Sequence, residues 1–136
     1  MTPRPTPVDP PGMAHSPAFA QGMIAPPGAL LFVGGQNGTD ASGALLDGLE
    51  AQTQQALRNV LDVLAEGGSG PEYVVKLTIH LAAGIDPTAA YAATREVWGS
   101  HRTTVTVLTV TPARPGALVE IDAVASVPEP EEGIGT

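Results

Sequence analysis

The sequence predicts a single α+β domain in which two helices cover one face of a mixed β-sheet. Two segments repeat apolar residues at helical spacing, and shorter apolar or alternating runs complete the order strand, strand, helix, strand, helix, strand, strand. Each helical segment carries one apolar stripe, so both helices are expected on the same side of the sheet. A chain of 136 residues fits one domain but is too short to enclose a large cleft. A binding site in such a chain is therefore expected between the subunits of an oligomer.

The N-terminal half of the predicted domain begins with two strands. Residues 19–24 form a weak strand, and the continuous apolar run at residues 29–33 is too short for a helix and is predicted to be a buried strand. The intervening Ala25-Pro26-Pro27-Gly28 is typical of a turn and predicts that the two strands form a hairpin. A glycine-rich loop follows at residues 34–38, and a short strand is expected near residues 44–45.

The two helices have the clearest local signals. Residues 50–66 form the first helix, which is expected to end at Gly67-Gly68. Asp86 is a typical N-cap and Pro87 a typical first helical residue, so a second helix is expected from there to about residue 98. The apolar stripe of the first helix consists of Leu57, Val60, Leu61 and Leu64.

The strand between the helices, at residues 73–81, alternates in polarity. Its apolar positions are expected to face one way: Val75, Leu77, Ile79 and Leu81. Its polar positions are expected to face the other way: Lys76, Thr78 and His80.

Two further alternating segments, residues 101–107 and 117–125, flank a turn at residues 112–116 and predict a second hairpin. Arg102 begins one segment and Glu120 lies in the middle of the other. An arginine binds a carboxylate through a planar fork of donors, and a glutamate can hold or polarise a water molecule. On sequence pattern alone, the simpler interpretation of Arg102 is a surface charge near Asp122 or Glu120.

The sheet face opposite the helices is predicted to be semi-polar. This composition is too apolar for open water and too polar for a dry core, so the face is expected to contact another subunit. The residues assigned to it are Thr78, His80, Thr104, Thr106, Leu108, Leu118, Glu120 and Asp122.

Both ends of the chain are predicted to lie outside the domain. Residues 1–14 contain five prolines, which disfavour helix and strand pairing, so this segment is expected to be a disordered tail. Residues 128–136 are expected to be an acidic tail, which leaves residues 15–127 as the folded domain.

Composition excludes several classes of function. A net charge of -8 with only six Lys and Arg argues against nucleic acid and against an anionic membrane surface as partners. The absence of cysteine excludes disulfides and thiolate chemistry, and three histidines without ligand spacing make a zinc site improbable. No apolar run approaches the roughly 18 residues of a membrane span. No secretory signal is recognisable, so the protein is expected to be cytoplasmic.

Five segments, taken in order, resemble the RidA/YjgF family of small cytoplasmic proteins, whose best-known members are enamine/imine deaminases. The resemblance covers about residues 15–127. No single segment is specific, but five with compatible spacing are fairly specific for the family. They are Phe32-Val33-Gly34-Gly35-Gln36; Glu50-Ala51-Gln52-Thr53 with Ala56-Leu57, Asn59-Val60 and Val63-Leu64; Val74-Val75-Lys76-Leu77-Thr78; Arg102-Thr103-Thr104-Val105; and Val119-Glu120-Ile121.

The resemblance implies a chorismate-mutase-like α+β fold and a homotrimer with active sites in the clefts between subunits. It implies that Arg102 fixes the carboxylate of a 2-imino or 2-enamino acid, and that Glu120, with a backbone carbonyl, places the water that attacks the imine carbon. Ammonia then leaves and a 2-oxo acid remains. No metal or organic cofactor is implied, because an imine needs little activation and positioning supplies much of the rate. The residues expected to line the site are Phe19, Gly34, Gly35 and Thr104.

Several positions depart from the family pattern. Phe19 keeps the ring of the family's usual tyrosine without its hydroxyl, and Gly34 replaces the usual serine. The segment before Arg102 is shorter than usual, and His101 beside it is more simply a solvent-exposed neighbour than a base. Alternatives to the deaminase therefore stay open: a pathway-specific enamine deaminase with a different substrate, or a non-catalytic trimer that binds a small carboxylate.

Overall fold

A computed structural model describes residues 2–130 of the chain. Four strands form the main sheet in the order β3-β6-β4-β5, and β1 and β2 form a separate two-stranded sheet. A 3-10 turn, Pro71–Tyr73, precedes β4. Within the described residues the elements are β1 (Thr6–Val8), β2 (Gly22–Ile24), β3 (Leu30–Asn37), α1 (Leu49–Glu66), β4 (Val74–Ala82), α2 (Pro87–Trp98), β5 (Thr104–Val110) and β6 (Val119–Ser126).

The predicted α+β class is confirmed. The main sheet is mixed, since β4 runs parallel to β5 and antiparallel to β6, and β3 runs antiparallel to β6. Both helices bury their apolar stripes against one face of it. The core side chains contributed by the helices are Ala56, Leu57, Val60, Leu64, Ala90 and Trp98. Those contributed by the sheet are Val33, Val74, Leu77, Ile79, Leu81, Val119, Ile121, Ala123 and Ala125.

The helix ends follow the local signals in the sequence. The Asp86 carboxylate accepts a hydrogen bond of 3.0 Å from the Thr88 amide, and Pro87 occupies the first helical position of α2. Beyond α1, Gly68 has a φ of 78°, a left-handed conformation that favours glycine. At the end of α2, the buried Trp98 donates its indole N–H to the carbonyl of His101 at 3.0 Å, which fixes the short connection to β5.

Both predicted hairpins are wrong. β4 lies between β5 and β6, because β4, α2 and β5 form a crossover unit that places two parallel strands side by side, and β6 then pairs with the other edge of β4. β2 pairs with β1, not with β3, and β3 pairs with β6. The turn residues before β3 and after β5 are real, but they do not reveal which strands become neighbours.

The N-terminal segment also differs from the prediction. β1 lies inside the proline-rich residues 1–14 and pairs antiparallel with β2, with Pro7 opposite Met23. A proline can lie in an edge strand when its nitrogen faces away from the partner strand. A smaller difference occurs in β4, where a register shift between Val74 and Lys76 places Val74, not Val75, in the core.

The C-terminal tail is described only in part. Residues 127–130 have no regular secondary structure, and residues 131–136 of the predicted acidic tail lie outside the described residues. Among residues 2–130, neither helix combines the length and the apolar character that a bilayer crossing requires.

Candidate active site

Arg102 is held at the edge of the main sheet, two residues before β5. Its Nη2 donates to the carboxylate of Asp9 and to the backbone carbonyl of Phe19, each at 3.0 Å. The side chains of the ion pair are 25% exposed for Arg102 and 19% exposed for Asp9. The following residue, Thr103, is buried and donates its hydroxyl to the Val74 carbonyl at 2.8 Å. The guanidinium therefore projects from a fixed backbone into a partly buried position.

Asp9 is a partner of Arg102 that the sequence pattern did not predict. Its second carboxylate oxygen accepts a hydrogen bond of 3.1 Å from the Gln21 amide. The hydrogen bond from Gln21, followed by that from Arg102, lowers the pKa of Asp9 below its ordinary value of 3.8, since both favour the ionised carboxylate. Asp9 lies 93 residues from Arg102 in the chain, and no local pattern in a proline-rich segment predicts that contact. Asp9, Phe19 and Arg102 together form what we term the arginine corner.

Glu120 lies in β6 and packs against the backbone of β3. A Cβ atom placed on Gly35 would come within 2.8 Å of the Glu120 carboxylate, so the glycine is what allows this approach. At Gly34 the same atom would meet nothing within 4 Å, so a side chain would fit there. The imidazole Nδ1 of His80 on β4 lies 3.1 Å from the Glu120 carbonyl oxygen. Gly34, Gly35 and Glu120 form what we term the glutamate corner.

The two corners are far apart within one subunit. Along β4, Thr104 is level with Lys76 and Glu120 is level with His80. Extending the register of β5 by two residues places Arg102 level with Val74, six residues from the level of Glu120. At about 3.3 Å per residue this corresponds to roughly 20 Å along the strands, with β4 between them. A direct pair of Arg102 and Glu120 within one subunit, the simpler alternative for these residues, is therefore excluded, and Asp9 is the partner of Arg102.

The remaining predicted site residues divide between these regions. Phe19 belongs to the arginine corner through its carbonyl, and the residue is 40% exposed. Thr104 lies two residues after Arg102, and its hydroxyl donates to the Val75 carbonyl at 2.6 Å, which commits its proton. The roles of Phe19, Gly34, Gly35 and Thr104 as lining residues, and of Arg102 and Glu120 as catalytic residues, stay predictions.

An apolar cavity of about 540 Å³ lies on the helix side of the sheet, next to the arginine corner. His101 and Thr103 line it, whereas Arg102 between them is not among its lining residues. The hydroxyls of Thr94 and Thr103 donate to backbone carbonyls, so the cavity wall is mainly apolar. Its principal apolar walls are Phe19, Tyr91, Trp98, Val105, Val107 and Ile79.

The face of the main sheet away from the helices carries an exposed apolar strip beside polar side chains. Phe32 is 71% exposed, and Leu30 and Leu108 are also exposed. On the same face His80 lies 4.0 Å from Asp122, and Lys76 donates to the Thr106 hydroxyl. We term this surface the open face; its mixed character agrees with the sequence analysis.

Metal ligands do not gather at either corner. Over residues 2–130, no three His, Asp or Glu side chains lie close enough together to hold a metal ion.

Comparison with known proteins places these features in a family. The family model described as Endoribonuclease L-PSP matches residues 13–127. The fold is similar to that of YyfB from Yersinia pestis, a protein of unknown function of the conserved Rid family, with a TM-score of 0.81 and 28% identity over 91% of this chain and 99% of that chain.

Two further solved structures show the same similarity at greater distance. A hypothetical protein from Giardia lamblia has a TM-score of 0.67 and 28% identity, over 90% of this chain and 98% of that chain. An Entamoeba histolytica protein with a provisional assignment as an endoribonuclease L-PSP has a TM-score of 0.69 and 27% identity, over 93% of this chain and 100% of that chain. No curated protein matches at a comparable level of significance.

The family model covers most of the chain, and the order of helices and strands agrees with a Rid protein over nearly its whole length. The chain therefore belongs to the endoribonuclease L-PSP family, which is the RidA/YjgF family, and it has the family's chorismate-mutase-like α+β fold.

Proposed function

We propose that the protein hydrolyses 2-imino or 2-enamino acids to 2-oxo acids and ammonia, at sites shared between the subunits of a homotrimer. The observation that carries the proposal is the arginine corner. A partly buried guanidinium is fixed there by its backbone and already binds a carboxylate, that of Asp9. Binding of a carboxylate is what the first step of this reaction requires from the protein.

The chemistry needs little beyond positioning. The substrate carboxylate binds Arg102, and a water molecule held by Glu120 attacks the imine carbon, which forms a C–O bond as the C=N electrons move to nitrogen. One proton of the water passes through the Glu120 carboxylate to that nitrogen. The proton of the new hydroxyl then moves to the amine nitrogen, the C–N bond breaks with its electron pair on nitrogen, ammonia leaves and the C=O bond of the 2-oxo acid forms. A 2-enamino acid enters the same sequence after a proton moves from its nitrogen to Cβ to give the imine. Water is the only co-reactant, so atoms and electrons balance without a cofactor.

The distance between the two corners supports a shared site. Arg102 and Glu120 cannot meet the same small substrate within one subunit, because β4 and roughly 20 Å along the strands separate them. The exposed Phe32 and Leu108 on the open face support burial of that face against other copies of the chain. Three copies in a closed ring would bring the glutamate corner of one subunit to the arginine corner of the next.

The apolar cavity supports a substrate with an apolar side chain. Phe19 connects the two features, since its carbonyl accepts from Arg102 and the residue also lines the cavity. Because most of the cavity wall is apolar and the Thr94 and Thr103 hydroxyls already donate to backbone carbonyls, a polar side chain would be desolvated there with little compensation.

The direct test is release of 2-oxo acid from imino acids that an amino-acid oxidase generates in the assay. The wild type should accelerate hydrolysis, and more so for leucine- and phenylalanine-derived imines than for the serine-derived one. Arg102→Ala should lose at least about a hundredfold in kcat/KM, since the carboxylate anchor is removed. Arg95→Ala removes an exposed arginine of α2 and serves as the charge-matched control. Equal rates for wild type and Arg102→Ala would overturn the proposal.

A second candidate function is a trimer that binds a small carboxylate without turning it over. It is favoured by Phe19 and Gly34, which remove two hydroxyls from the expected site. Tight binding of a 2-oxo acid with no acceleration of any imine would support it. A narrow range of accepted imines would instead indicate a pathway-specific enamine deaminase.

Ribonuclease activity has less support. The chain has a net charge of -8 and only six Lys and Arg residues that could contact the phosphates of RNA.

A further inference from the structure

We propose that Asp9 is an internal competitor for Arg102, whose carboxylate holds the guanidinium in the ligand-free protein and must be displaced when a substrate carboxylate binds. The N-terminal segment thereby sets the affinity of the site and its selectivity for carboxylates. The inference rests on the proposed function only in taking Arg102 as the carboxylate anchor. It assigns a role in ligand selection to a residue outside the predicted domain.

The geometry of the pair is that of a ligand, but an incomplete one. Asp9 engages Nη2 alone through a single contact of 3.0 Å, and that same Nη2 also donates to the Phe19 carbonyl. Among residues 2–130, the Nε of Arg102 is buried and has no hydrogen-bond partner. A free carboxylate can accept two parallel hydrogen bonds from the guanidinium fork, and such bidentate pairs are stronger and more specific than single contacts. A substrate can therefore offer Arg102 more than Asp9 does.

Electrostatics makes the two carboxylates exclusive. The Asp9 carboxylate lies 3.0 Å from the partly buried Arg102 guanidinium, so a second carboxylate arriving at Arg102 would be close to an existing negative charge. Like charges in such a site disfavour each other, whereas either carboxylate alone neutralises the arginine. Asp9 thus neutralises the partly buried Arg102 guanidinium when the site is empty. When a substrate carboxylate binds, it replaces Asp9 as the partner of Arg102.

The segment that carries Asp9 is held weakly and can move without disturbing the main sheet. Asp9 directly follows β1, and β1 and β2 pair through three residues each in a sheet separate from the main one. A two-stranded sheet of this length is marginally stable by itself. Apart from Arg102, the hydrogen-bond partner of the Asp9 side chain among the described residues is the Gln21 amide. Displacement of Asp9 therefore leaves the main sheet and its core intact.

The consequence is a measurable penalty on ligand binding. The apparent affinity for a carboxylate equals the intrinsic affinity multiplied by the fraction of molecules in which Arg102 is free of Asp9. Removing the Asp9 charge should remove that penalty for carboxylates only. An uncharged analogue, which does not compete for the guanidinium charge, should gain nothing.

The experiment measures binding of pyruvate and of its uncharged amide, pyruvamide, to the full chain by titration calorimetry. Asp9→Asn keeps the side-chain oxygen available to the Gln21 amide but removes the charge; we expect it to bind pyruvate about tenfold more tightly than wild type and pyruvamide unchanged. Asp62→Asn, at an exposed position of α1, removes the same charge elsewhere and should match wild type for both probes. Asp9→Ala should behave as Asp9→Asn, which guards against a folding defect in one variant.

Pyruvate binding by both Asp9 variants that equals or falls below wild type would overturn the inference and make Asp9 a residue that positions Arg102. Turnover separates this result from a failure of the proposed function. Tighter pyruvate binding without hydrolysis of any imine leaves Asp9 a competitor and removes the deaminase. Imine hydrolysis with an unchanged KM in Asp9→Asn leaves the deaminase and removes the competitor.

Discussion

At the scale of single residues, Gly35 and Glu120 act as one unit. The Glu120 carboxylate occupies the space that a side chain at position 35 would need. We expect Gly35→Ala to keep a melting temperature close to wild type, because a flexible carboxylate can move aside, and to lose at least about tenfold in kcat, because Glu120 is then misplaced. In a Glu120→Ala background, Gly35→Ala should cause no further loss in kcat. Additive losses in the double variant would show that Gly35 does not act through Glu120.

Asp9 gives the protein a pH dependence of known sign. Hydrogen bonds from Gln21 and Arg102 lower the pKa of Asp9 in the folded protein below 3.8. Its contribution to stability is therefore present above pH 3.8 and lost as the pH falls through the lower pKa of the folded state. The melting temperature of wild type should exceed that of Asp9→Asn at pH 6, and the difference should shrink below pH 4. A difference that grows on acidification would contradict this assignment.

The sequence predicted candidate residues for the site but not their contacts. The resemblance to the RidA/YjgF family singled out Arg102 and Glu120, whereas the sequence pattern alone favoured a surface charge for Arg102. Asp9 does not stand out, because its role depends on a contact across 93 residues that leaves no local trace. Residue type is a local property, whereas the partner of a charge is set by tertiary structure.

At the scale of elements, Gln52 in α1 ties together the loops on which Glu120 depends. Its buried side chain donates to the carbonyls of Leu46 and Gly116 and accepts from the Leu118 amide, just before β6. Gln52 belongs to the Glu50-Ala51-Gln52-Thr53 segment that resembles the family's first helix. The structural role of Gln52 in that segment is to anchor these loops. Gly38 is part of the same arrangement, since a Cβ there would come within 2.4 Å of the Gln52 backbone.

Loss of the polar group should affect the free energy of unfolding differently at Gln52 and Thr53, two neighbouring buried residues of α1. Gln52→Leu leaves three backbone groups without their partner and should lower the free energy of unfolding by about 2–4 kcal/mol. Thr53→Val should change it by less than about 1 kcal/mol, or raise it, because the buried Thr53 hydroxyl has no partner among the described residues. Urea denaturation of both variants measures the two changes. A larger loss for Thr53→Val than for Gln52→Leu would reverse the roles assigned here.

Local signals predicted the elements well but not their pairing. α1, β4 and α2 begin and end within a few residues of the prediction, because periodicity, the Asp86 cap and the glycines after α1 are encoded locally. The order of strands depends on which pairing buries the most apolar surface, and adjacent segments with a turn between them look like a hairpin whether or not they pair. β5 and β6 are such a case, since β4 lies between them.

At the scale of the whole molecule, the separation of the two corners is the most consequential feature. Each corner alone offers only part of the proposed chemistry: a carboxylate anchor at Arg102, or a group that holds water at Glu120. The open face, with Phe32 exposed on the edge strand β3, provides a surface through which copies of the chain can associate. The central claim is therefore that a complete site consists of Arg102 from one subunit and Glu120 from another.

Mixing two inactive variants tests this claim most directly. Arg102→Ala and Glu120→Gln are each purified, unfolded together in equal amounts, refolded and assayed for imine hydrolysis. In a closed ring, half of the subunits retain Arg102 and half retain Glu120, so about a quarter of the shared sites should be intact and about a quarter of wild-type activity should return. If the mixture stays as inactive as the separate variants while wild type recovers its activity after the same treatment, the two residues do not form a site across subunits.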